Sequence, residues 1–137
     1  MDTNTLPSLD DTAFVDTYDC VFKHPKTKAV ITTVTLASPS HPQSIEADEI
    51  ERRESYAKPA NPDGEETVAE SRVRNIKYLA RRIITSTPFT VGGEAVTLSP
   101  TNAAGILLQP KYGALLGTLI VARAEQVNFM PNSALAS

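Results

Sequence analysis

Residues 66–85 of this 137-residue chain, ETVAESRVRNIKYLARRIIT, carry its clearest structural signal. Apolar side chains recur there at intervals of three and four residues: Ala69, Val73, Ile76, Leu79 or Ala80, and Ile83. That spacing places them on one face of a helix of roughly five turns, with basic residues on much of the remaining surface. We therefore expect an amphipathic helix that ends at Ser86-Thr87-Pro88, because the residue before a proline avoids the helical backbone region.

Short stretches with strand-like patterns flank this helix on both sides. Residues 17–22 (TYDCVF) and 29–37 (AVITTVTLA) alternate and are joined by KHPKTK, which predicts an N-terminal β-hairpin. Residues 89–91 (FTV) and 95–98 (AVTL) lie on either side of Gly92-Gly93-Glu94. Glycine readily adopts the positive φ of a tight turn, so a second, shorter hairpin is predicted there.

Caps and apolar spacing predict the remaining helices. A charged helix begins near Ser44, which can serve as its N-cap, and its apolar stripe is thin: Ile45, Ile50 and Tyr56. Such a helix either lies on the surface or packs against a partner when one binds. Further along, Ser99 can cap a helix and Pro100 fits the first helical position, so C-terminal helices are expected over residues 101–127.

The last helix, over residues 111–127, has an aliphatic stripe and two glycines four residues apart. Gly113 and Gly117 predict that a neighbouring backbone approaches this helix closely. The predicted fold class is α+β: an N-terminal β-hairpin, a charged helical middle, an amphipathic helix, a short second hairpin and C-terminal helices. The length suits one domain over residues 13–129. Flexible segments are expected at residues 1–12, 58–66 and 130–137.

The composition argues against several classes of partner. The formal net charge is -3, whereas nucleic-acid binders gain most of their affinity from basic patches. The charge is unevenly distributed, since residues 44–70 are acid-rich and residues 72–82 are basic. No apolar run approaches the length of a membrane span, so no membrane partner is expected. Assembly into a homo-oligomer stays open.

No catalytic, metal or cofactor site is predicted. The glycine pair lacks the spacing of the known nucleotide-binding loops, and Glu94 beside it would repel an anion. His24, His41 and Cys20 match no structural zinc spacing, and both histidines precede a proline in turn contexts. The carboxylates of residues 46–51 share a charged helix with arginines, and solvated carboxylates are poor acid catalysts. We therefore expect a non-enzymatic protein without cofactors.

The segment after the amphipathic helix resembles a family of small tailed-bacteriophage proteins described as tail assembly chaperones or small tail proteins. In that family a helix leads to the pattern aromatic–x–x–x–G–E–x–V–x–F/L–S–x–x–N–A, and a later helix ends in an Asn-Phe pair. The resemblance extends over residues 21–129, although the family usually has Trp near the position of Phe89. The matching residues are Phe89, Gly93, Glu94, Val96, Leu98, Ser99, Asn102, Ala103, Asn128 and Phe129.

This resemblance implies a non-enzymatic role in tail morphogenesis, in the cytoplasm of an infected bacterial host. Proteins of the family coat the tape-measure protein and recruit subunits of the major tail protein, so these two proteins are the implied partners. One alternative is a structural tail or connector subunit that is retained in the virion. A second alternative is a small regulatory or nucleic-acid-binding module that acts through residues 72–82.

Two helices supply the candidate partner-binding residues. On the helix over residues 65–85 the candidates are basic: Arg72, Arg74, Lys77, Arg81 and Arg82. On and after the helix over residues 111–127 they are apolar: Leu115, Leu119 and Phe129. Other interpretations stay open for both sets. The basic residues could form a solvated face or pair with the acidic helix at residues 46–54, and the apolar residues could form the core.

Overall fold

The computed structural model describes residues 6–57 and 66–131 and contains two small antiparallel sheets. In the larger sheet, β1 (Thr17–Lys23) and β2 (Val30–Ala37) form a hairpin in which Cys20 lies opposite Val34. β3 (Ile83–Ser86) pairs with the other edge of β2 and gives the strand order β1-β2-β3. The predicted N-terminal hairpin is therefore confirmed, and β2 is the central strand.

The third strand corrects the predicted end of the amphipathic helix. That helix, α2 (Val68–Arg81), stops before Ile83, and the residues expected in its last turn form β3 instead. Ile83 is completely buried and lies opposite Leu36 of β2. The β-branched run Ile83-Ile84-Thr85 favours a strand, and β2 offers the hydrogen-bonding partner that a strand needs.

The charged helix, α1 (Pro42–Ala57), begins two residues before the predicted cap. His41 precedes it, and the Nδ1 atom of His41 accepts a hydrogen bond from the Gln43 N–H at 3.0 Å. Pro42 occupies the first helical position, where its missing N–H has no cost. Ser44 is therefore an interior residue of the helix rather than its cap, and it is completely buried.

Helices α1 and α2 meet at the end of α2, where side chains of both helices form hydrogen bonds. α2 begins after Thr67, whose Oγ1 accepts a hydrogen bond from the Glu70 N–H at 3.1 Å. At the start of α1, the Nε2 atom of Gln43 donates to the carbonyl oxygens of Arg81 at 2.8 Å and Ile83 at 2.9 Å. The start of α1 is thus fixed to the end of α2.

The glycine pair forms a turn, as predicted. β4 (Phe89–Val91) and β5 (Glu94–Val96) pair antiparallel on either side of it. Gly92 and Gly93 have φ values of 58° and 84°, in the left-handed region that residues with a Cβ disfavour. Two consecutive positive φ values are typical of the two-residue turn that best matches the twist of a hairpin. The second hairpin is therefore confirmed.

The first of the C-terminal helices starts later than predicted. α3 (Ala103–Leu107) is short, and Ser99 and Pro100 belong to the turn that precedes it. In that turn the Ser99 N–H donates to Oδ1 of Asn102 at 2.8 Å. The Asn102 side chain therefore closes the turn, and the predicted cap at Ser99 is wrong.

The last helix is interrupted near its end. After a 3-10 turn at Pro110–Tyr112, α4 covers Gly113–Ala124. Glu125 adopts an extended conformation, and a final 3-10 turn covers Gln126–Phe129. The continuous helix expected over residues 111–127 is therefore shorter, and the change of direction after α4 brings Phe129 into the core.

One hydrophobic core joins the larger sheet to α2, α3 and α4. Alternate side chains of β1, among them Tyr18, Cys20 and Phe22, lie on the face of the sheet that packs against this core. The predicted α+β class is confirmed. The largest fully buried apolar side chains come from every part of this assembly: Val34, Leu36, Ile76, Ile83, Leu98, Leu107, Leu119 and Phe129.

The segments predicted to be flexible lie largely outside the described residues. Residues 1–5, 58–65 and 132–137 are not described. Of the N-terminal segment, Leu9–Thr12 form a 3-10 turn that buries no residue. Glu66, at the end of the predicted linker, forms an ion pair with Arg74 at 2.5 Å. The flexibility of these segments stays a prediction.

Candidate functional site

Helix α1 packs against the rest of the molecule with very little apolar surface. Of its residues only Ser44 and Ala47 are buried. Two of its larger apolar side chains face outward, Ile45 at 57% exposed and Tyr56 at 81% exposed, whereas Ile50 is half-buried. A helix with so thin a buried stripe needs other contacts to stay in place.

Those contacts are charged, and Arg82 is at their centre. This residue is only 8% exposed, and its guanidinium donates to both carboxylate oxygens of Glu51, at 2.7 and 2.8 Å. It also donates to Asp48 at 2.5 Å and to the carbonyl oxygen of Tyr78 at 2.7 Å. The hydrogen bond to Glu51 raises the pKa of Arg82, although burial opposes it. Buried, paired and fully charged, Arg82 ties α1 to the end of α2.

Arg81 extends this network toward the other end of α1. Its guanidinium lies 2.5 Å from Glu54 and 3.3 Å from Glu51, and 5.8 Å from the ring centre of Tyr78. The acidic residues of α1 are thus the intramolecular partners of Arg81 and Arg82, one of the two interpretations that the sequence left open. Neither arginine presents an unpaired charge to an outside partner.

The other three basic candidates lie on the exposed part of α2. Arg74 pairs with Glu66, and Arg72 donates to the carbonyl oxygen of Leu108 at 3.3 Å. Within residues 6–57 and 66–131, Lys77 forms no ion pair. Arg72, Arg74 and Lys77 are all exposed, and of the three only Arg74 has an ion-pair partner among the described residues.

The apolar candidates lie in the core, not on the surface. Leu119 and Phe129 are completely buried, and Leu115 is 6% exposed. Phe129 packs edge-on against the ring of Tyr18, with 5.9 Å between ring centres. A domain of this size needs such residues inside, and a partner could reach them only by unfolding the region. Their assignment to a binding surface is therefore corrected.

Sequence reasoning missed the position of Arg123. Its guanidinium lies 5.6 Å from the ring centre of Phe129, and its Nε atom is buried without a hydrogen-bond partner among the described residues. Burial lowers the pKa of Arg123, and the nearby positive charge of Arg82 lowers it further. The sequence shows only that an arginine lies in the last turn of α4. It does not show that this arginine lies near Arg82, because that depends on how α4 packs.

An open groove lies between the end of α1 and the length of α2. It encloses about 770 Å³ and combines small or apolar side chains with charged ones of both signs. Among the residues that line it, Val73 is half-buried, while Lys77 and Arg74 are exposed. The described residues that line it are Glu54, Ser55, Ala57, Glu66, Ala69, Glu70, Val73, Arg74, Lys77, Tyr78 and Arg81.

The residues considered for catalysis or metal binding have structural partners. Nδ1 of His24 accepts hydrogen bonds from the N–H groups of Lys26 and Thr27, at 3.0 and 3.2 Å. Burial raises the pKa of the Cys20 thiol, which makes its thiolate scarcer. The hydrogen bond from Arg52 lowers the pKa of Glu49, the opposite of what a general acid needs.

Across residues 6–57 and 66–131, no three His, Cys, Asp or Glu side chains come close enough together to hold a metal ion. Nor does this part of the chain contain a helix that is long and apolar enough to cross a membrane. No protein-family model, curated protein or solved structure matches the chain.

Proposed function

We propose that this protein is a non-enzymatic phage tail assembly chaperone that binds a helical segment of the tape-measure protein in the groove between α1 and α2. Two observations support this proposal. The sequence resembles that family around Phe89–Ala103 and at Asn128-Phe129. The structure leaves an open groove beside a helix that is held mainly by charge.

The groove suits an amphipathic helix as its occupant. α2 forms one wall over a length of about 21 Å, at a rise of roughly 1.5 Å per residue. Ala57, Ala69 and Val73 give the groove small apolar contacts, and such a surface accepts the apolar stripe of a second helix. Glu70 and Lys77 flank this strip with opposite charges, which favours a partner that carries both signs.

The observation that carries the proposal is the way α1 is attached. A chaperone must release its client when the tail tube grows, so its contacts need to be exchangeable. α1 is fixed by Arg81, Arg82 and Gln43 rather than by a broad apolar face. It can therefore adjust to a client without unfolding the core.

The charge distribution favours a protein partner over a nucleic acid. Of the basic residues over 72–82, Arg81, Arg82 and Arg74 already pair with carboxylates of this chain, which leaves Arg72 and Lys77 without an ion pair among the described residues. Nucleic-acid binding at physiological salt requires several free cationic contacts. A gel-shift assay at that salt is therefore expected to show no complex.

Capture of the tape-measure protein tests the proposal. The two proteins of the same phage are co-expressed, and the tagged chain is used to pull down its client. Val73→Asp and Lys77→Glu are each expected to weaken capture at least tenfold, or about 1.4 kcal/mol, because they place the wrong polarity or charge in the groove. Lys26→Glu changes an exposed lysine in the hairpin turn away from this groove and serves as the matched control.

Two results would contradict the proposal. Capture that is equally strong for wild type, Val73→Asp and Lys77→Glu would exclude this groove as the site. Mass spectrometry of purified virions that finds the chain at high copy number would favour the structural tail subunit instead. We expect the chain to be absent from mature particles and present in the cytoplasm of infected cells, together with major tail protein before assembly.

A further inference from the structure

The outer edge of β1 has no strand beside it among the described residues. β1 lies at the edge of the sheet, and its backbone groups alternate between β2 and the outside. The Ser38 N–H donates to the carbonyl of Asp16 at 2.9 Å. Because bonding alternates along an antiparallel strand, the backbone groups of the even-numbered residues of β1 bond to β2. Consistent with this, the Val15 N–H points the other way and donates to the Phe129 carbonyl at 2.6 Å. The backbone groups of the odd-numbered residues 17–23 therefore face outward.

The side chains on these outward-bonding residues are self-complementary. Asp19, Val21 and Lys23 lie on the same face of β1, and all three are exposed. Val21 is 46% exposed although it lies in the middle of a strand. An acid and a base are thus placed at equal distances on either side of an apolar residue.

We infer that two copies of this chain associate by antiparallel pairing of β1 with β1, in the register centred on Val21. In that register Val21 lies opposite Val21 of the other copy, and Asp19 lies opposite Lys23 on both sides of the two-fold axis. Opposite charges and apolar residues that face each other directly stabilise antiparallel strands. The two three-stranded sheets become one continuous six-stranded sheet.

The neighbouring register is less favourable. Centred on Cys20, it would place Asp19 opposite Val21 and Thr17 opposite Lys23, so both charge pairs would be lost. A lysine on an edge strand commonly prevents such pairing, because it meets another lysine or an apolar side chain. Here the two-fold axis places Lys23 opposite the carboxylate of Asp19 instead. This pairing favours the register centred on Val21 over its neighbours.

Helix α4 leaves room for this arrangement. A groove of about 970 Å³ lies between the edge of β1 and α4, and Gly113, Ala114 and Gly117 line its helical side. A Cβ atom placed on Gly113 or Gly117 would meet no atom within 4 Å. The backbone that these glycines were predicted to admit is therefore not found within the described part of this chain.

A second copy related by the two-fold axis can supply the neighbouring backbone. An axis perpendicular to the continuous sheet keeps both copies of α4 on the same side, with the glycines of each helix beside the groove at the paired edge. Without side chains at Gly113 and Gly117 the two helices can approach closely. The edge strand and the small helical face thus point to the same partner, a second copy.

Exchange of charges tests the register. By sedimentation equilibrium the wild-type chain is expected to have twice the mass of one chain. Asp19→Lys and Lys23→Asp each place like charges opposite one another twice, and each is expected to weaken the dimer at least about tenfold. The double variant restores both pairs and is expected to dimerise, as is an equimolar mixture of the two single variants. Arg53→Asp, an exposed change of the same sign on α1, is the control and should leave the dimer intact.

Glycine replacement tests the geometry independently of charge. Gly117→Leu fills space that is empty within one chain, so the monomer should fold normally while the dimer weakens at least about tenfold. Gly105→Leu is the matched control, since a Cβ at Gly105 also meets nothing, and it lies in α3 away from this groove. A monomeric wild type overturns the inference, as does a dimer that Gly117→Leu and both charge variants leave unchanged. These outcomes are independent of tape-measure capture.

Discussion

Helices α1 and α4 belong to the same molecule, yet different forces hold them. α4 buries three leucines and one alanine, and burial of each leucine contributes about 1.5–3 kcal/mol. α1 buries only Ser44 and Ala47 and depends on ion pairs, which contribute about 0–1 kcal/mol each where they are exposed to water. The comparison indicates that α4 is a permanent part of the core, whereas α1 is held mainly by its buried ion pair with Arg82 and can change its other contacts at small cost.

The difference also separates two kinds of interaction surface. A surface that must release its partner is better built on α1 and α2, where charges and small side chains predominate. A surface that supports lasting assembly is better built on β1 and α4, since both are anchored in the core. The proposed client groove and the inferred dimer interface follow this division.

The largest expected effect is on the core. Leu119→Ala should lower the free energy of unfolding by about 2–5 kcal/mol, because the side chain is completely buried in α4. Ile45→Ala, the matched change on α1, should alter it by no more than about 0.5 kcal/mol, because Ile45 is largely exposed. Urea unfolding measures both. Similar losses for the two variants would refute the comparison.

An intermediate effect is expected at the buried ion pair. Arg82→Met should lower the free energy of unfolding by about 2–4 kcal/mol, because it leaves the carboxylate of Glu51 without its closest partner. In combination with Glu51→Gln the two losses should not add, and a double-mutant cycle should give a coupling of about 1–3 kcal/mol. Arg52→Met removes an exposed pair with Glu49 and should change stability much less. A coupling near zero would mean that Arg82 does not hold α1.

The smallest expected effect is on local opening, measured by amide hydrogen exchange. At about 1 M salt the screening length falls to roughly 3 Å, which weakens the exposed pair between Arg81 and Glu54. The amides of α1 should then exchange several-fold faster, while those of α4 should keep their protection, since apolar burial is not screened. Equal protection of both helices at all salt concentrations would show that α1 is not the more mobile element.

Some of this architecture follows directly from local sequence. The alternation in residues 17–37 and the Gly92-Gly93 turn predict both hairpins, because strand periodicity and positive φ are local properties. The spacing of Val73, Ile76 and Leu79 predicts α2 for the same reason. Element ends were less predictable. The residues of the last predicted helical turn form β3 instead, because Ile83 pairs opposite Leu36, which is remote in sequence.

The candidate site likewise has features that the local sequence predicts and features that it does not. The sequence identified Arg74 and Lys77 as exposed cations on α2, since an amphipathic pattern defines which residues face outward. It could not decide between a solvated and a paired state for Arg82, because that depends on where α1 lies. Nor could it distinguish a partner-binding stripe from a core stripe at Leu115 and Leu119, since both have the same periodicity.

By itself, then, the sequence determined the elements of this protein: two hairpins, an amphipathic helix and an α+β class. Periodicity, caps and turn residues act over a few residues, and these signals can be read without knowing the fold. Only the tertiary structure decided that Arg82 pairs with Glu51, that Phe129 enters the core, and that no described strand pairs with the outer edge of β1. Each of these depends on contacts between residues distant in the chain, and burial and charge pairing act through space.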